Sequence, residues 1–259
     1  MLKKSLMLGA VALAMSVSVS AKEWKEVRVA IDPTYKPFTF KTADGKPTGF
    51  DVDIAQALCD QLKAKCTFVE QPWDAMIPGL NAKKYDAIIS SMSVTEERLK
   101  QVDFTSKYYN TPSKIVVKGD VKFSGPASLK GKNIGVLKAS TQEKYAKGEL
   151  APAGVNVKSY EAQDQVYLDI KAGRLDGTVA DIIEVQGGFL DTPDGKGYVF
   201  VGEPLRQPKY FGEGAGVAVR KGDKDLKEAL NKAIGAIRAN GTWQKISDKY
   251  VPGIDIWGK

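Results

Sequence analysis

Short apolar strand signals alternate with amphipathic helix signals along most of this chain, and that alternation leaves few ways to fold it. Residues 26–31 (EVRVAI) alternate polar and apolar side chains and read as a strand, as do 66–70, 85–89, 114–118, 133–137, 177–180 and 216–219. Between them, Val52, Ala55, Leu58, Cys59 and Leu62 share one face of a helix capped by Asp51. A short helix is expected around 73–80, and longer ones over 163–172, 225–240 and 242–250. Ala43-Asp44-Gly45-Lys46 reads as a hairpin turn, and no internal repeat or low-complexity tract appears. Strands alternating with helices predict α/β architecture with mostly parallel sheets. Ligands of such sheets bind beyond the carboxyl ends of the strands, so residues just after strands are the place to look.

The first residues stand apart from this pattern. Lys3 and Lys4 precede an apolar run over 6–19, and Val19-Ser20-Ala21 fits a small-x-small cleavage site. Residues 1–21 therefore read as a secretory signal peptide, the run being shorter than the about 20 residues a membrane span needs. No cysteine follows the site to carry a lipid, and no later run is long enough to span a membrane. The formal charge of +7 falls to +5 once Lys3 and Lys4 leave. Its lysines are scattered among acids, as a solvated surface is, and not gathered into a nucleic-acid stripe. There is no histidine, so Ser-His-Asp and Cys-His chemistry are excluded, and the commonest metal ligand is missing. In an exported chain Cys59 and Cys66 read as a local disulfide. On one continuous helix they would stand roughly 10 Å apart, too far to bond. The helix carrying Cys59 must therefore end before Cys66.

Four strand ends carry polar groups. Asp32 follows the first strand, with Tyr35 three residues on; Ser90, Ser91 and Ser93 follow Ile89, with Arg98 in a helix beginning near Thr95. Thr141 and Gln142 open a helix soon after Leu137, and Asp181 follows Ala180. Such a set suits a zwitterion: a guanidinium and helix N–H groups for a carboxylate, and a carboxylate with hydroxyls for an ammonium. A second carboxylate would pair with a charge at the far end of a side chain, and Tyr35 and Trp73 could sandwich the stem. Each residue also has a plainer reading. Ser93 with Glu96 fits a capping box, Asp32 a turn, Asp181 a helix cap, Arg98 a surface residue, and Trp73 and Tyr35 core positions.

Seven stretches in order carry a resemblance: DPTYKPF (32–38), GFDVDIAQALC (49–59), CTFVEQPWDAMIPGL (66–80), DAIISSMSVTEERLK (86–100), GVLKASTQEKYA (135–146), YEAQDQVYLDIKAGRLDG (160–177) and GTWQKISDKY (241–250). The chain resembles the periplasmic polar amino-acid-binding proteins of ABC importers, especially the lysine/arginine/ornithine- and histidine-binding members. The resemblance implies a two-lobed α/β periplasmic-binding fold of type II, with ligand in the cleft. Lobe 1 would comprise 22–110 plus 213–259, and lobe 2 would comprise 111–212. It implies a monomeric periplasmic protein, without cofactor, metal or catalytic residue, that delivers a cationic L-amino acid (arginine, lysine, ornithine or histidine) to a membrane permease. Arg98 would bind the α-carboxylate with Thr141 and Ser93. Asp181 would take the α-ammonium with Ser91 and Ser93. Asp32 would meet the distal cation, with Ser90 and the Leu137 carbonyl nearby. Tyr35 and Trp73 would flank the side chain, with Gln142 at its far end. Cys59 and Cys66 match the disulfide of the cationic members. Trp73 departs from the Leu or Phe usual there, which bears on ligand ranking. Other roles on the same pattern are an opine-binding transport protein, a secreted dehydratase and a receptor module feeding a chemosensor.

Overall fold

The computed structural model describes residues 24–258, so the expected signal peptide lies outside the described residues. The strands are β1 Glu26–Ile31, β2 Phe40–Lys41, β3 Pro47–Thr48, β4 Lys65–Glu70, β5 Ala87–Ile88, β6 Asp103–Tyr109, β7 Ser113–Lys118, β8 Asn133–Leu137, β9 Asn156–Tyr160, β10 Gly177–Asp181, β11 Tyr198–Leu205 and β12 Ala215–Val219. The α-helices are α1 Phe50–Leu62, α2 Met76–Asn81, α3 Glu96–Leu99, α4 Thr141–Tyr145, α5 Gln163–Lys171, α6 Ile182–Val185, α7 Pro208–Phe211, α8 Lys224–Ala239 and α9 Thr242–Tyr250.

Two five-stranded sheets form the two lobes, one in the order β4-β1-β5-β12-β6 and one in the order β11-β7-β10-β8-β9. Each sheet is buried on both faces. Val29 and Ile31 of β1 face a core shared with α1, α8 and α9, while Ala30 faces Met76, Leu80 and Tyr85. In the second sheet, Ile115 and Val117 look one way and Val116 the other, towards Val166, Ile170 and Phe189. Strands enclosed in this way read as continuous apolar runs.

The sheets are mixed and not mostly parallel, which corrects the expectation. β1 pairs in parallel with β4 and β5, and β8 with β9 and β10; β12 runs antiparallel to β5 and β6, and β7 to β10 and β11. β2 and β3 form a separate antiparallel hairpin; within the two five-stranded sheets, every antiparallel pair involves β7 or β12, the strands by which the chain enters a sheet from the other lobe. Crossing sets their direction, where a strand–helix–strand unit would have made them parallel.

Two capping expectations also change. Gly49, not Asp51, is the N-cap of α1, at φ 127°. A Cβ at position 49 would stand 2.2 Å from the Phe38 carbonyl oxygen, so the chain needs glycine there. The first N–H groups of α1 donate to the carbonyls of Pro37 and Phe38 (3.1 and 2.8 Å), which leaves the Asp51 side chain free to point elsewhere. At α3 the cap is Thr95, whose hydroxyl accepts from the Arg98 N–H at 3.3 Å, so Ser93 and Glu96 form no capping box. α1 ends at Leu62, Lys63 turns in the left-handed region, and β4 returns to bring Cys66 back to Cys59 as a disulfide with Cα atoms 5.7 Å apart.

Candidate functional site

The loops after β1, β4 and β5 of one sheet and after β8 and β10 of the other meet at a single cavity. About 170 Å³ of it is open to the centre of a water molecule. Asp32, Tyr35, Trp73, Ser90, Ser91, Ser93 and Arg98 line it from the first lobe; Leu137, Thr141, Gln142 and Asp181 line it from the second. The eleven residues singled out in the sequence thus stand around one space. Asn110, Thr111, Pro112, Ser113, Leu205, Arg206 and Phe211 line it as well, from the two passages between lobes. They lie in segments with little helix or strand period, so only the topology places them here.

The charges are unusual for a buried space. Arg98 is 8 % exposed; its guanidinium donates to the carbonyls of Ser93 (3.0 Å) and Ala139 (3.4 Å) and lies 5.2 Å from the Trp73 ring centroid. No carboxylate pairs with it among the described residues. Burial pulls its pKa down to about 10, so it stays charged at neutral pH.

Asp32 is 5 % exposed; its Oδ1 accepts from the Thr34 N–H and hydroxyl, and its own N–H donates to Ser90 Oγ at 3.0 Å. Asp181 is 6 % exposed; its Oδ1 accepts from the N–H groups of Ile183 (2.9 Å) and Glu184 (3.2 Å), and its Oδ2 accepts from the Thr111 hydroxyl. Asp181 is therefore both a helix cap and a wall of the cavity. Burial pushes each carboxyl up to about 6, against the pull of those donors. Neither has a cationic partner among the described residues.

The neutral groups are partly committed. Ser140 caps α4, Thr141 Oγ1 donates to Gln142 Oε1 (3.1 Å), and Gln142 Nε2 donates to Ser113 Oγ (2.9 Å). Ser91 and Ala139 hold left-handed backbone, φ 55° and 58°, one on each side of the cavity. Non-glycine residues persist in that region only where their surroundings hold them, and such residues gather at ligand sites. Across the cleft, Lys138 pairs with Asp74 at 2.8 Å and Lys144 pairs with Glu97. Among the described residues there is no cluster of metal-ligating side chains, and no helix long and apolar enough to cross a membrane.

Comparison with known proteins agrees with this arrangement. The family model of bacterial extracellular solute-binding proteins, family 3, matches residues 27–253. An L-arginine-binding protein of Pseudomonas aeruginosa is 50% identical over 258 residues, 99% of each chain. The lysine/arginine/ornithine-binding periplasmic protein of Escherichia coli is 42% identical, over 96% of this chain and 97% of its own. A solved structure of an ancestral arginine-binding protein bound to arginine superposes with a TM-score of 0.82 at 36% identity, over 89% of this chain and all of that one. With the two-lobed fold, the cleft and these matches together, the chain belongs to the bacterial extracellular solute-binding proteins, family 3.

Proposed function

We propose that this protein captures a cationic L-amino acid in the periplasm and delivers it to the permease of an ABC importer. The observation that carries the reading is the set of unmatched buried charges: a guanidinium without a carboxylate, and two carboxylates without a cation. Buried charges are costly unless paired, so the missing partners are those of a ligand. An α-carboxylate completes Arg98, with Thr141 and Ser93 beside it. An α-ammonium completes Asp181, with Ser91 and Ser93. A distal cation completes Asp32, near Ser90 and the Leu137 carbonyl. Tyr35 and Trp73 flank the stem, and Gln142 closes the far end. The relatives' names support the same ligand class.

Capture works by lobe closure, with 22–110 and 213–259 moving as one body and 111–212 as the other. Arg98 and Asp32 sit in the first and Asp181 in the second, so a ligand that touches all three binds the closed form better than the open one. The test is calorimetric titration of Arg98→Ala and Asp181→Asn with L-arginine. Both should lose most of the affinity, and near-unchanged binding by both would sink the assignment.

Arg206 favours a second reading. It lines the cavity with no hydrogen-bond or ion-pair partner among the described residues, and a second anionic group on the ligand, as in an opine, would meet it. A thermal-shift screen of amino acids, amines and opines separates the two, since a ligand binding only the native state raises its stability.

A further inference from the structure

Asp51 lies behind the cavity, fully buried, in the first turn of α1. No capping duty explains its side chain, because backbone carbonyls already satisfy that end of the helix. Its two oxygens instead tie down one residue of the cavity wall. Asp51 Oδ2 accepts from the Ser91 hydroxyl at 2.8 Å, and Oδ1 accepts from the Tyr108 hydroxyl at 2.8 Å. The loop closes through the Ser91 N–H, which donates to Tyr108 Oη at 3.2 Å. Thr39 Oγ1 adds a longer bond to Oδ2 at 3.4 Å.

Burial raises the Asp51 carboxyl to about 7, so it is largely ionised at pH 8, and there the direction of every bond in this loop is forced. A carboxylate only accepts and an N–H only donates. The hydroxyl of Ser91 has one proton, and Asp51 takes it. The N–H of Ser91 is taken by Tyr108. Both donors of Ser91 are therefore committed within the loop, and what its hydroxyl has left for a ligand is acceptor lone pairs alone. The same loop holds Ser91 in its left-handed backbone at φ 55°.

We infer that Asp51 is a positioning residue that makes Ser91 an acceptor-only contact, fitted to the ligand's ammonium group and unable to serve a carboxylate or carbonyl there. The inference rests on the proposed capture of an amino acid and adds to it a residue that does not touch the ligand. An asparagine at position 51 would put an NH2 group, which only donates, in place of one of the two acceptor oxygens. It would release a hydroxyl proton of the loop and let Ser91 turn.

The test is a double-mutant cycle read at pH 8 by calorimetric titration with L-arginine and, by displacement, with 5-guanidinopentanoate, the same molecule without its α-ammonium. Asp51→Asn and Ser91→Ala should each weaken L-arginine about tenfold, the scale of one hydrogen bond to a charged group, and change 5-guanidinopentanoate less than about twofold. Asp51→Asn added to Ser91→Ala should cost less than about twofold more, because the two act through one contact. Equal weakening of both ligands, or full additivity of the two substitutions, would overturn the assignment. Should Asp51→Asn fail to fold, Ser91→Ala and Tyr108→Phe decide: each must weaken L-arginine and spare 5-guanidinopentanoate, and loss of both ligands alike overturns the claim. Absence of binding of L-arginine, L-lysine, L-ornithine and L-histidine alike by the unsubstituted protein overturns the functional reading and this assignment with it, whereas binding that ignores Asp51 overturns the assignment alone.

Discussion

The two walls of the cleft are built differently. The first lobe brings buried charges of both signs, Arg98 and Asp32, together with three serines. The second brings one acid, Asp181, held by a helix N-terminus and the Thr111 hydroxyl, with neutral polar groups and the exposed Arg206 beside it. On the proposed reading, the first wall grips both ends of an elongated zwitterion before closure, and the second adds the contact that distinguishes closed from open. Removing a group from either wall should then produce a different defect.

The largest effect is expected where a buried charge loses its partner. Arg98→Ala strands a ligand carboxylate, a change worth about 2–5 kcal/mol, or roughly thirtyfold to several thousandfold in affinity. Calorimetry should show that loss for every amino acid alike, since all share the α-carboxylate. Asp181→Asn keeps an N-cap for α6, so thermal stability without ligand should change little while affinity falls to a similar degree. A stability loss matching the affinity loss would show that Asp181 serves the fold and not the ligand.

Asp32→Ala should act selectively. A charged hydrogen bond is worth about 1.5–3 kcal/mol, so L-arginine and L-lysine should weaken about tenfold to a hundredfold while glutamine is unaffected. Equal losses for glutamine and arginine would remove Asp32 from the distal role.

Acid should weaken both walls together. Burial raises the carboxyls of Asp32 and Asp181 to about 6, above their value in the unfolded chain. Without ligand, ionising them lowers stability as pH rises from about 4 to about 6. A cationic ligand relieves that cost and must displace the protons, so affinity should hold above pH 7 and fall as pH drops below about 6. The stabilisation conferred by saturating arginine should accordingly be larger at pH 8 than at pH 5, and a flat profile would show that the carboxyls are not the ligand's partners.

The smallest effect belongs to the rim. The Lys144–Glu97 pair crosses the cleft between half-exposed side chains, so Lys144→Ala should change affinity less than about threefold and act mainly by raising the dissociation rate. A tenfold loss would mean that closure depends on the rim and not on the buried charges.

How much of this was readable in the sequence differs between centre and edge. β1 and β8 have the expected limits because both lie inside their sheets and carry strong apolar signals, alternating over EVRVAI and near-continuous over NIGVL. β6, β9 and β11 were not anticipated, and all three lie at sheet edges, where polar side chains dilute the pattern. The residues of the cavity wall were legible because ligand groups gather after strands. Their mutual commitments were not: the Asp51–Ser91 bond joins positions forty residues apart in chain order, and Trp73 over Arg98 depends on how a short 3₁₀ turn is aimed. Asp181 reads in sequence as a cap or a ligand partner; in the structure its Oδ1 caps α6, its Oδ2 accepts from the Thr111 hydroxyl, and the residue lines the cavity.

The central claim is that a cationic amino acid completes the unmatched charges of the cleft. It is tested by calorimetric titration, at pH 7.5, of the protein without residues 1–21 with L-arginine, L-lysine, L-ornithine, L-histidine and L-glutamine. At least one cationic amino acid should bind far more tightly than glutamine, and Asp32→Ala should erase the difference. Glutamine binding as well as every cationic amino acid, or none of the five binding, would contradict it.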